Sequence, residues 1–456
     1  MLRRAFLACA IASAPLHAQL PSRAAATSLI DSLATAFVAE RQSPSVAVAL
    51  VRGTDTLAFN AWGKADLEND VAATPRTVYR IGSVTKQFTS AAVMQLVEQG
   101  KVKLDDSIAT YLPTLPAAWR GVTVRQLLNH TSGIPSYTDI GAAWVKRWGE
   151  EMTPDTLVAL TAAKPMDFAP GTSWKYDNSG YVLLGMIIEK VAGRPWATDL
   201  TERFFKPLGL NDTRNCLTQP LVPRRAAGYQ PFGNGWSNSP FLAMTQPYAA
   251  GALCSTIGDL TTWNRALHGG KVVSAASYAL MTTPAGAAVG SKYGFGLGRQ
   301  TLGQYVIISH NGGIPGFITA NAYIPDLNLS ATVLTNNGAA KADELMAQVI
   351  RAATGMPLVR QPTITETTAT QRARYVGSYL LQLPGRPRDF TVFERDGKLM
   401  AQLEGQGANP MLFYGNDTWG MAFDPALRVV FEVQGDKATK MTLKQGGGSF
   451  DGARKP

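Results

Sequence analysis

A polar stretch at residues 361–368 divides the chain into two regions with different hydrophobic patterns. The stretch lacks the periodicity of a helix, which is typical of a linker. Upstream, helical and strand-like segments alternate, whereas downstream only short strand-like segments recur. Because 456 residues also exceed what one hydrophobic core usually serves, we expect a main domain at 27–355, a linker at 356–370 and a small domain at 371–450.

The upstream region has the pattern of an α+β domain. Apolar spacing indicates a first helix at 27–41, and strands at 45–51 and 56–63 that form an antiparallel hairpin. A mainly helical middle portion follows. We predict further helices at 83–100, 124–128, 156–163, 180–191, 257–267 and 343–354, and further strands at 305–309, 318–324 and 330–335. The order of helix, strands, helical insert, strands and helix is that of an α+β fold.

The downstream region predicts a small antiparallel β domain. Residues 389–403 alternate apolar and polar side chains around Asp396-Gly397, and residues 429–443 do so around Gly435-Asp436. Both patterns are strong hairpin signals. Several short strands in one region of this size favour a barrel-like arrangement.

The first residues have the pattern of a secretory signal peptide. Arg3 and Arg4 precede an apolar run at 5–16, and the small residue Ala18 offers a cleavage site. The run is too short to anchor the chain in a bilayer, and no later apolar stretch is long enough to do so. We therefore predict a signal peptide at 1–18, a periplasmic or secreted protein and no stable membrane anchor.

The basic balance of the chain does not indicate nucleic-acid binding. The formal net charge is +10, but the basic residues are scattered and form no run of five or more. At most, this charge favours an anionic wall, membrane or carboxylate substrate. No Cys-x-x-Cys or His-Glu-x-x-His pattern is present, so we expect neither a metal site nor a cofactor.

Two cysteines remain after the predicted signal peptide. Cys216 and Cys254 can pair as a disulfide in an oxidising exterior. Two buried free thiols are the alternative. We favour the disulfide.

Ser83 and Lys86 form the one Ser-x-x-Lys pattern in the sequence, at the start of the predicted helix 83–100. Residues i and i+3 lie on one face of a helix, so the hydroxyl and the amine can meet. A desolvated lysine can lose its proton and accept that of the serine, while the helix N-terminus favours developing negative charge. The alternative is an N-cap serine beside an exposed lysine, since so short a pattern also occurs by chance.

Tyr176 and Asn178 lie in a loop directly before the predicted helix 180–191. Residues at i and i+2 of such a loop can point a phenol and an amide into one cleft. Tyr176 can relay protons, and Asn178 can hold Lys86 or a substrate carbonyl. A core tyrosine and a helix-capping asparagine are the alternative.

The sequence His310-Asn311-Gly312-Gly313 follows the predicted strand 305–309. Paired glycines let a substrate approach the backbone closely. The N–H of Gly313 can then complete an oxyanion hole with that of Ser83. A glycine-rich turn with a surface histidine is the alternative.

Together these segments resemble the superfamily of serine β-lactamases and penicillin-binding proteins. Ser-x-x-Lys, Tyr-x-Asn and a His/Lys-x-Gly element follow one another as they do in that superfamily, and residues 127–135 and 250–260 resemble it too. Its members include class C β-lactamases, D-alanyl-D-alanine carboxypeptidases, D-aminopeptidases and related esterases. The resemblance implies a β-lactamase/transpeptidase-like fold, in which helices flank an antiparallel sheet and a helical subdomain adjoins it.

The resemblance also implies catalytic roles. Ser83 would be acylated, and Lys86 and Tyr176 would share the acid and base steps. Asn178 would bind both Lys86 and the substrate amide. His130, in the stretch 127–135, is interpreted as a residue that braces its loop.

Three further roles concern substrate binding and the choice of reaction. Gly313 would donate to the oxyanion, Tyr137 would line the pocket, and His310 stands where class C β-lactamases often carry lysine. Because of this histidine we rank a D-amino-acid peptidase or esterase above a β-lactamase. The C-terminal β domain, which resembles the lipocalin-like barrels of D-aminopeptidase-type relatives, favours the same ranking.

The expected partner is a small-molecule or peptide substrate, including cell-wall peptide, and no nucleic acid. The acyl-enzyme at Ser83 would be discharged by water. Two alternatives stay open: a β-lactamase, and a penicillin-binding sensor that is acylated without turnover.

Overall fold

The computed structural model of the chain describes residues 20–359, 364–383, 385–422, 424–445 and 448–456. The predicted signal peptide and residues 360–363 of the predicted linker lie outside these ranges. The chain forms two compact units, of which the first ends at Leu358 and the second comprises Val359–Pro456. Among the described residues, no helix has both the length and the apolar character needed to cross a bilayer.

The first unit contains twelve α-helices and twelve strands within the described residues. In chain order they are α1 (Arg23–Ala39), β1 (Ser45–Arg52), β2 (Asp55–Asp66), β3 (Val71–Ala72), β4 (Tyr79–Arg80), α2 (Thr85–Glu98), α3 (Val124–Leu128), α4 (Ala142–Val145), α5 (Pro154–Ala159), α6 (Asn178–Ala192), α7 (Trp196–Leu200), α8 (Lys206–Leu208), β5 (Arg214–Asn215), β6 (Tyr229–Phe232), β7 (Gly235–Asn238), α9 (Tyr248–Gly251), β8 (Leu253–Ser255), α10 (Ile257–His268), α11 (Ala275–Thr282), β9 (Gly298–Leu302), β10 (Tyr305–Ile314), β11 (Phe317–Ile324), β12 (Leu329–Thr335) and α12 (Ala342–Thr354).

A seven-stranded antiparallel sheet forms the centre of this unit, in the order β3-β2-β1-β12-β11-β10-β9. Strand β1 lies between β2 and β12, with Val48 opposite Asn60 and Val333. Alternate residues of a strand point to opposite faces. Val48 therefore packs in one core with α1 and α12, while Ala47 and Ala49 belong to the core on the opposite face. Helices on both faces of an antiparallel sheet confirm the predicted α+β fold.

The core that contains Ala47 and Ala49 also buries α2. Phe88 in this helix is fully buried and stacks on Trp263 of α10 at 3.8 Å between ring centroids. A 3-10 turn at Gly82–Val84 leads directly into α2, which ends before Gly100, a glycine with φ of 68°. The predicted helix 83–100 is thus present, with its first residues in the turn. Burial on nearly all sides fixes the helix that carries Lys86.

Strand β10 is longer than the sequence indicates. The prediction ended it at residue 309, but the strand continues to Ile314, so the glycines do not form the turn that was the alternative interpretation. Gly312 lies opposite Thr319 and Gly313 opposite Ile318 in β11. The chain reverses only at Pro315 and Gly316, where Gly316 has φ of 83°. Cross-strand pairing therefore keeps both glycines in extended backbone.

The second unit is a closed antiparallel barrel. Its elements are α13 (Ala369–Ala373), β13 (Gly377–Leu381), β14 (Arg388–Arg395), β15 (Lys398–Leu403), β16 (Asn409–Phe413), β17 (Thr418–Met421), β18 (Asp424–Gln434), β19 (Lys437–Gln445) and β20 (Gly448–Arg454). Strand β13 pairs with both β14 and β20 and so closes the ring. Buried aromatic side chains, among them Tyr379, Trp419 and Phe431, fill the interior. The predicted β domain and its barrel arrangement are confirmed.

Cys216 and Cys254 are free thiols in the structure, so the predicted disulfide is not formed. Cys254 lies in β8 opposite Arg214 of β5, and the N–H of Cys216 donates to the Ala252 carbonyl oxygen at 2.8 Å. The two cysteines are therefore diagonal neighbours. Diagonal pairs lie farther apart than directly opposite ones, at the limit of the Cα separation that a disulfide spans. Both side chains are buried.

Candidate active site

Ser83 lies in the turn Gly82–Val84, where the chain passes from β4 to α2. The N–H of Ile81 donates to the Leu253 carbonyl oxygen at 3.0 Å, which ties the start of this turn to β8. Gly82 has φ of 49°, a backbone conformation that side chains disfavour. The turn therefore presents Ser83 at the N-terminal end of a buried helix.

Lys86 is fully buried one turn further along. Its Nζ lies 3.3 Å from Ser83 Oγ, 2.8 Å from Asn178 Oδ1 and 2.9 Å from the Ala250 carbonyl oxygen. The amide and carbonyl oxygens only accept, so they take two N–H bonds and leave the third direction toward Ser83. Burial lowers the pKa of Lys86 well below its usual value, and the charge of Asp177 opposes this shift. In the neutral amine, a lone pair thus faces the serine hydroxyl.

Tyr176 and Asn178 enter the site from the loop before α6. The Asn178 Nδ2 donates to Thr138 Oγ1 at 3.1 Å, which directs the amide oxygen toward Lys86. The Tyr176 hydroxyl is buried and has no hydrogen-bond partner among the described residues. Burial raises the pKa of Tyr176, and Ser83 is near enough to oppose that shift. Tyr176 is therefore a neutral phenol beside the serine.

His130, which the sequence analysis interpreted as a residue that braces its own loop at 127–135, also contacts the loop before α6. Its Nδ1 accepts the N–H of Asp177 at 3.1 Å, so the proton of the neutral ring is on Nε2. The ring packs against Tyr176 at 4.4 Å between centroids. His130 has φ of 61°. These contacts hold the backbone between Tyr176 and Asn178.

Strand β10 passes along the Ser83 turn at backbone distance. A Cβ on Gly312 would overlap the Ile81 carbonyl oxygen and would lie 3.2 Å from Ser83 N. A Cβ on Gly82 would lie 2.9 Å from Gly313 N. The main-chain nitrogens of Ser83 and Gly313 therefore lie in the same small region. Residues larger than glycine do not fit at positions 82 and 312.

His310 lies in β10 with both ring nitrogens engaged by the protein. Its Nδ1 is 2.7 Å from the Asn311 carbonyl oxygen, which only accepts, so Nδ1 carries the proton. Its Nε2 therefore accepts the Tyr293 hydroxyl at 2.8 Å. Burial, followed by the charge of Lys86, lowers the pKa of His310 to about 3. His310 is a neutral, fixed ring.

Two cavities open on either side of Ser83. The larger, about 340 Å³, is lined by Tyr176, His310, Tyr293 and Lys292 in addition to the serine. The smaller, about 80 Å³, is lined by Ser83 together with Tyr137, Thr138, Trp144, Asn178, Leu242, Gly313 and Ile314. All seven residues that the sequence analysis assigned to catalysis or substrate binding thus line the two cavities or, in the case of Lys86, contact residues that do.

Three residues of the site were missed by the sequence analysis. Tyr293 fixes His310, and Trp144 and Lys292 line the two cavities. A signal was present at 294–298, directly after Tyr293, where glycine occupies every second position. One of these glycines, Gly296, has φ of 68° and would place a Cβ 2.6 Å from the Lys86 carbonyl oxygen. Such spacing indicates backbone packed against another element.

Within the described ranges, no three or more His, Cys, Asp or Glu side chains come together in a group that could hold a metal ion. The polar groups around Ser83 are an amine, a phenol, an amide and main-chain N–H groups. These groups are suited to covalent acyl transfer to a serine.

Comparison with known proteins identifies the family. The profile of the Beta-lactamase family matches residues 30–358. A penicillin-binding protein of Bacillus subtilis (strain 168) is 28% identical over 439 residues, which cover 89% of this chain and 94% of that protein. A D-aminopeptidase of Gluconobacter oxydans is 26% identical over 370 residues, which cover 78% of this chain and 68% of that protein.

A solved structure has the same fold. The D-amino acid amidase from Ochrobactrum anthropi SV3, complexed with L-phenylalanine amide, has a TM-score of 0.65 and 27% identity. The match covers 72% of this chain and 98% of the amidase. The chain therefore belongs to the Beta-lactamase family, within the superfamily of serine β-lactamases and penicillin-binding proteins, and is a serine hydrolase.

Proposed function

We propose that Ser83 is acylated during hydrolysis of amide or ester bonds adjoining a D-amino acid. The observation that carries this proposal is the position of Lys86, whose buried Nζ lies 3.3 Å from Ser83 Oγ while its other contacts are acceptors. A lysine without its proton can deprotonate the serine as the oxygen attacks the carbonyl carbon. The serine proton then resides on Lys86.

The negative charge that develops on the substrate oxygen is stabilised by main-chain donors. The N–H groups of Ser83 and Gly313 are suited to this role because Gly82 and Gly312 let the two segments approach each other. Fixed donors that point at a developing oxyanion typically contribute about 3–4 kcal/mol each to lowering the barrier.

Tyr176 delivers a proton to the leaving group. Its hydroxyl faces Ser83, has no other described partner and keeps its proton because burial raises its pKa. As the carbonyl–nitrogen bond breaks, the leaving nitrogen takes the phenol proton and Lys86 returns the serine proton through this hydroxyl. Water then attacks the acyl-enzyme by the reverse route. His310 takes no proton, because both of its nitrogens are engaged.

The two cavities determine which part of the substrate lies on which side of Ser83. The leaving group must lie on the side of Tyr176, which lines the larger cavity. The acyl group then lies on the side of Asn178 and Gly313, with its side chain in the smaller cavity. A volume of about 80 Å³ suits a short aliphatic side chain better than an aromatic one.

The preference for D-amino acids is supported by the relatives. Those that align with this chain include D-aminopeptidases and a D-amino acid amidase. We further propose that the protein is exported, as residues 1–18 suggest. Outside the cytoplasm, cell-wall peptides would provide substrates that contain D-amino acids.

The test is a panel of p-nitroanilides of D-alanine, L-alanine and D-phenylalanine, together with a chromogenic cephalosporin. We expect D-alanine p-nitroanilide to be turned over best and the L-enantiomer at least about tenfold more slowly, since one misplaced group in a fitted pocket costs at least about 1.4 kcal/mol. Ser83→Ala should lose about 10³-fold or more of kcat. Mass spectrometry of the quenched wild type should find the acyl group on Ser83.

Three results would contradict the proposal. They are full activity in Ser83→Ala, faster turnover of the cephalosporin than of every D-amino acid derivative, or stable acylation of Ser83 without any release of product. The last would favour a penicillin-binding sensor instead.

A further inference from the structure

The residue between Tyr176 and Asn178 is a buried carboxyl. Asp177 is only 3% exposed. Its Oδ2 accepts the N–H of Gly180 at 3.0 Å, which caps α6, and the hydroxyl of Ser132 at 3.3 Å. Its Oδ1 is buried and has no partner among the described residues. An N-cap needs one acceptor, and serine or asparagine supplies it without a buried charge.

A buried carboxyl with an unpartnered oxygen is costly, which calls for a reason beyond capping. Lys86 contacts the residues on either side of Asp177: its Nζ lies 2.8 Å from Asn178 Oδ1 and 4.7 Å from the centre of the Tyr176 ring. The side chains of Asp177 and Lys86 form no direct ion pair, but the charge of Asp177 raises the pKa of Lys86. The direct contacts of Lys86 are neutral: Ser83, Asn178 and the Ala250 carbonyl. Asp177 and Lys86 are therefore a buried acid and a buried base that share Tyr176 and Asn178 as neighbours.

We propose that Asp177 is the counter-ion of Lys86 and governs how much of the lysine carries a proton when substrate binds. This inference rests on the proposed acyl-enzyme function. Asp177 acts through Lys86 without touching substrate, so it is a positioning residue. Its place in the chain suits this role, because it is joined covalently to the Tyr176 and Asn178 that flank the amine.

The physical reason is the strength of the base. Burial alone lowers the pKa of Lys86 strongly. An amine whose pKa falls far below the working pH carries no proton at that pH. It is then a weak base and accepts the serine proton poorly. The negative charge of Asp177 raises the pKa of the amine back toward the working range. Burial in turn raises the pKa of Asp177 to about 7, although Lys86 opposes this shift.

Other titratable groups around Asp177 do not titrate in this range. From the 127–135 loop, His130 faces it with a pKa that burial lowers well below the usual value. Tyr137 and Tyr176 face it with pKa values that burial raises. Lys175, two residues earlier, is held at the surface by Asp139 and Asp167. Asp177 and Lys86 are therefore the two groups of this cluster whose titrations are coupled to each other.

The test removes the charge and keeps the cap. Asp177→Asn retains an oxygen that accepts the Gly180 N–H. With lysine labelled at Cε with carbon-13, we expect the titration midpoint of Lys86 to fall by about one pH unit or more. The resonance is assigned by its loss in Lys86→Met. This measurement does not need turnover, so it separates failure of this inference from failure of the proposed function.

The kinetic counterpart is the pH profile of kcat/KM for D-alanine p-nitroanilide. Its acid limb should move to lower pH in Asp177→Asn, and kcat at the optimum should fall about tenfold because the base is weaker. Ser132→Ala is the matched control, since it removes a hydrogen bond to the same carboxyl but no charge. In this control the acid limb should move by less than about 0.3 pH unit.

An unmoved Lys86 midpoint in folded Asp177→Asn would overturn the inference and leave Asp177 as a helix cap only. If Asp177→Asn does not fold, Asp177→Ser replaces it, because a serine hydroxyl also caps helices well. A shifted midpoint in a protein that fails to hydrolyse any member of the panel would support the electrostatic pairing and contradict the proposed activity.

Discussion

At the scale of single residues, the site depends on groups that stay neutral because they are buried. His310 has its protonated nitrogen on the Asn311 carbonyl and accepts the Tyr293 hydroxyl with the other. A lysine at this position would bring a second cation close to Lys86. With histidine at this position, Lys86 is the one buried amine among the described residues of the cleft. Under our proposal, its pKa is then adjusted by the charge of Asp177 and by no second lysine.

The three described histidines should therefore remain neutral between pH 8 and pH 5. Burial lowers the pKa of His268 and His310 to about 3, and that of His130 well below its usual value. In the unfolded chain they would take up protons near pH 6.5. Each thus favours unfolding as the pH falls below about 6.5. Ring nitrogen-15 shifts should stay constant in this range when the protein is folded and titrate near pH 6.5 in urea. A His310 resonance that moves in the folded protein would contradict the assignment.

The Tyr293 hydroxyl should matter for stability as well as for the orientation of His310. Tyr293→Phe leaves the buried Nε2 of His310 without a partner, which should lower the free energy of unfolding by about 1–3 kcal/mol. The Nε2 shift should change at the same time. Tyr323→Phe is the control, because its hydroxyl forms an exposed hydrogen bond to Asn328 and should cost less than about 0.5 kcal/mol. If both variants lost the same free energy of unfolding, the hydrogen bond to His310 would contribute no more to stability than an exposed one.

At the scale of elements, the close approach of β10 to the Ser83 turn is the feature that assembles the site. Backbone nitrogens from two elements distant in sequence meet only because Gly82 and Gly312 have no side chains. Strand β10 gains its length from pairing with β11, and α2 gains its position from burial on nearly all sides. The oxyanion donors are therefore set by two independently supported elements.

Gly312→Ala should separate these elements. Its Cβ would overlap the Ile81 carbonyl oxygen, so β10 must move away from Ser83. We expect kcat to fall about 10²–10³-fold, the loss typical of one missing oxyanion donor, with an unchanged circular dichroism spectrum. Gly313→Ala is the comparison, because its Cβ would lie 3.4 Å from Ile318 Cδ1, an ordinary contact. It should retain far more activity than Gly312→Ala. The reverse order of activities would refute the geometry.

Elements with local signals were predictable from the sequence, and those defined by distant contacts were not. The hairpin between β1 and β2 and the two-residue turn at Asp396-Gly397 follow from alternation and from residues that tolerate positive φ. The course of β10 depends on β11 and on the Ser83 turn, so the sequence did not show that the strand continues beyond residue 309. Tyr293 carries no motif, because its role arises only from contact with His310.

At the scale of the whole molecule, the two units have separate hydrophobic cores. The aromatic interior of the barrel, which includes Trp419, belongs to one cluster, and the cores on either face of the sheet form others. The barrel pattern was readable from alternation in the sequence, whereas the closure of β13 on β20 is a long-range pairing. Each core can therefore respond to substitution separately.

Calorimetry should resolve this independence as two unfolding transitions. Trp419→Ala should destabilise the barrel and lower one transition, and Trp263→Ala should lower the other, each by about 3–5 kcal/mol as for other buried aromatic truncations. The activity of Trp419→Ala at temperatures below its lowered transition should resemble that of the wild type. A single transition that both variants lower equally would contradict separate folding.

The closed ring of the second unit also limits how that unit can recruit other molecules. Every one of its eight strands is hydrogen bonded to a neighbour on each side. A peptide can add a strand to a sheet by main-chain hydrogen bonds only where an edge strand is exposed, and this closed barrel has none among its described residues. Any ligand of the barrel must be recognised through its outward side chains and loops, which can diverge without altering the ring itself.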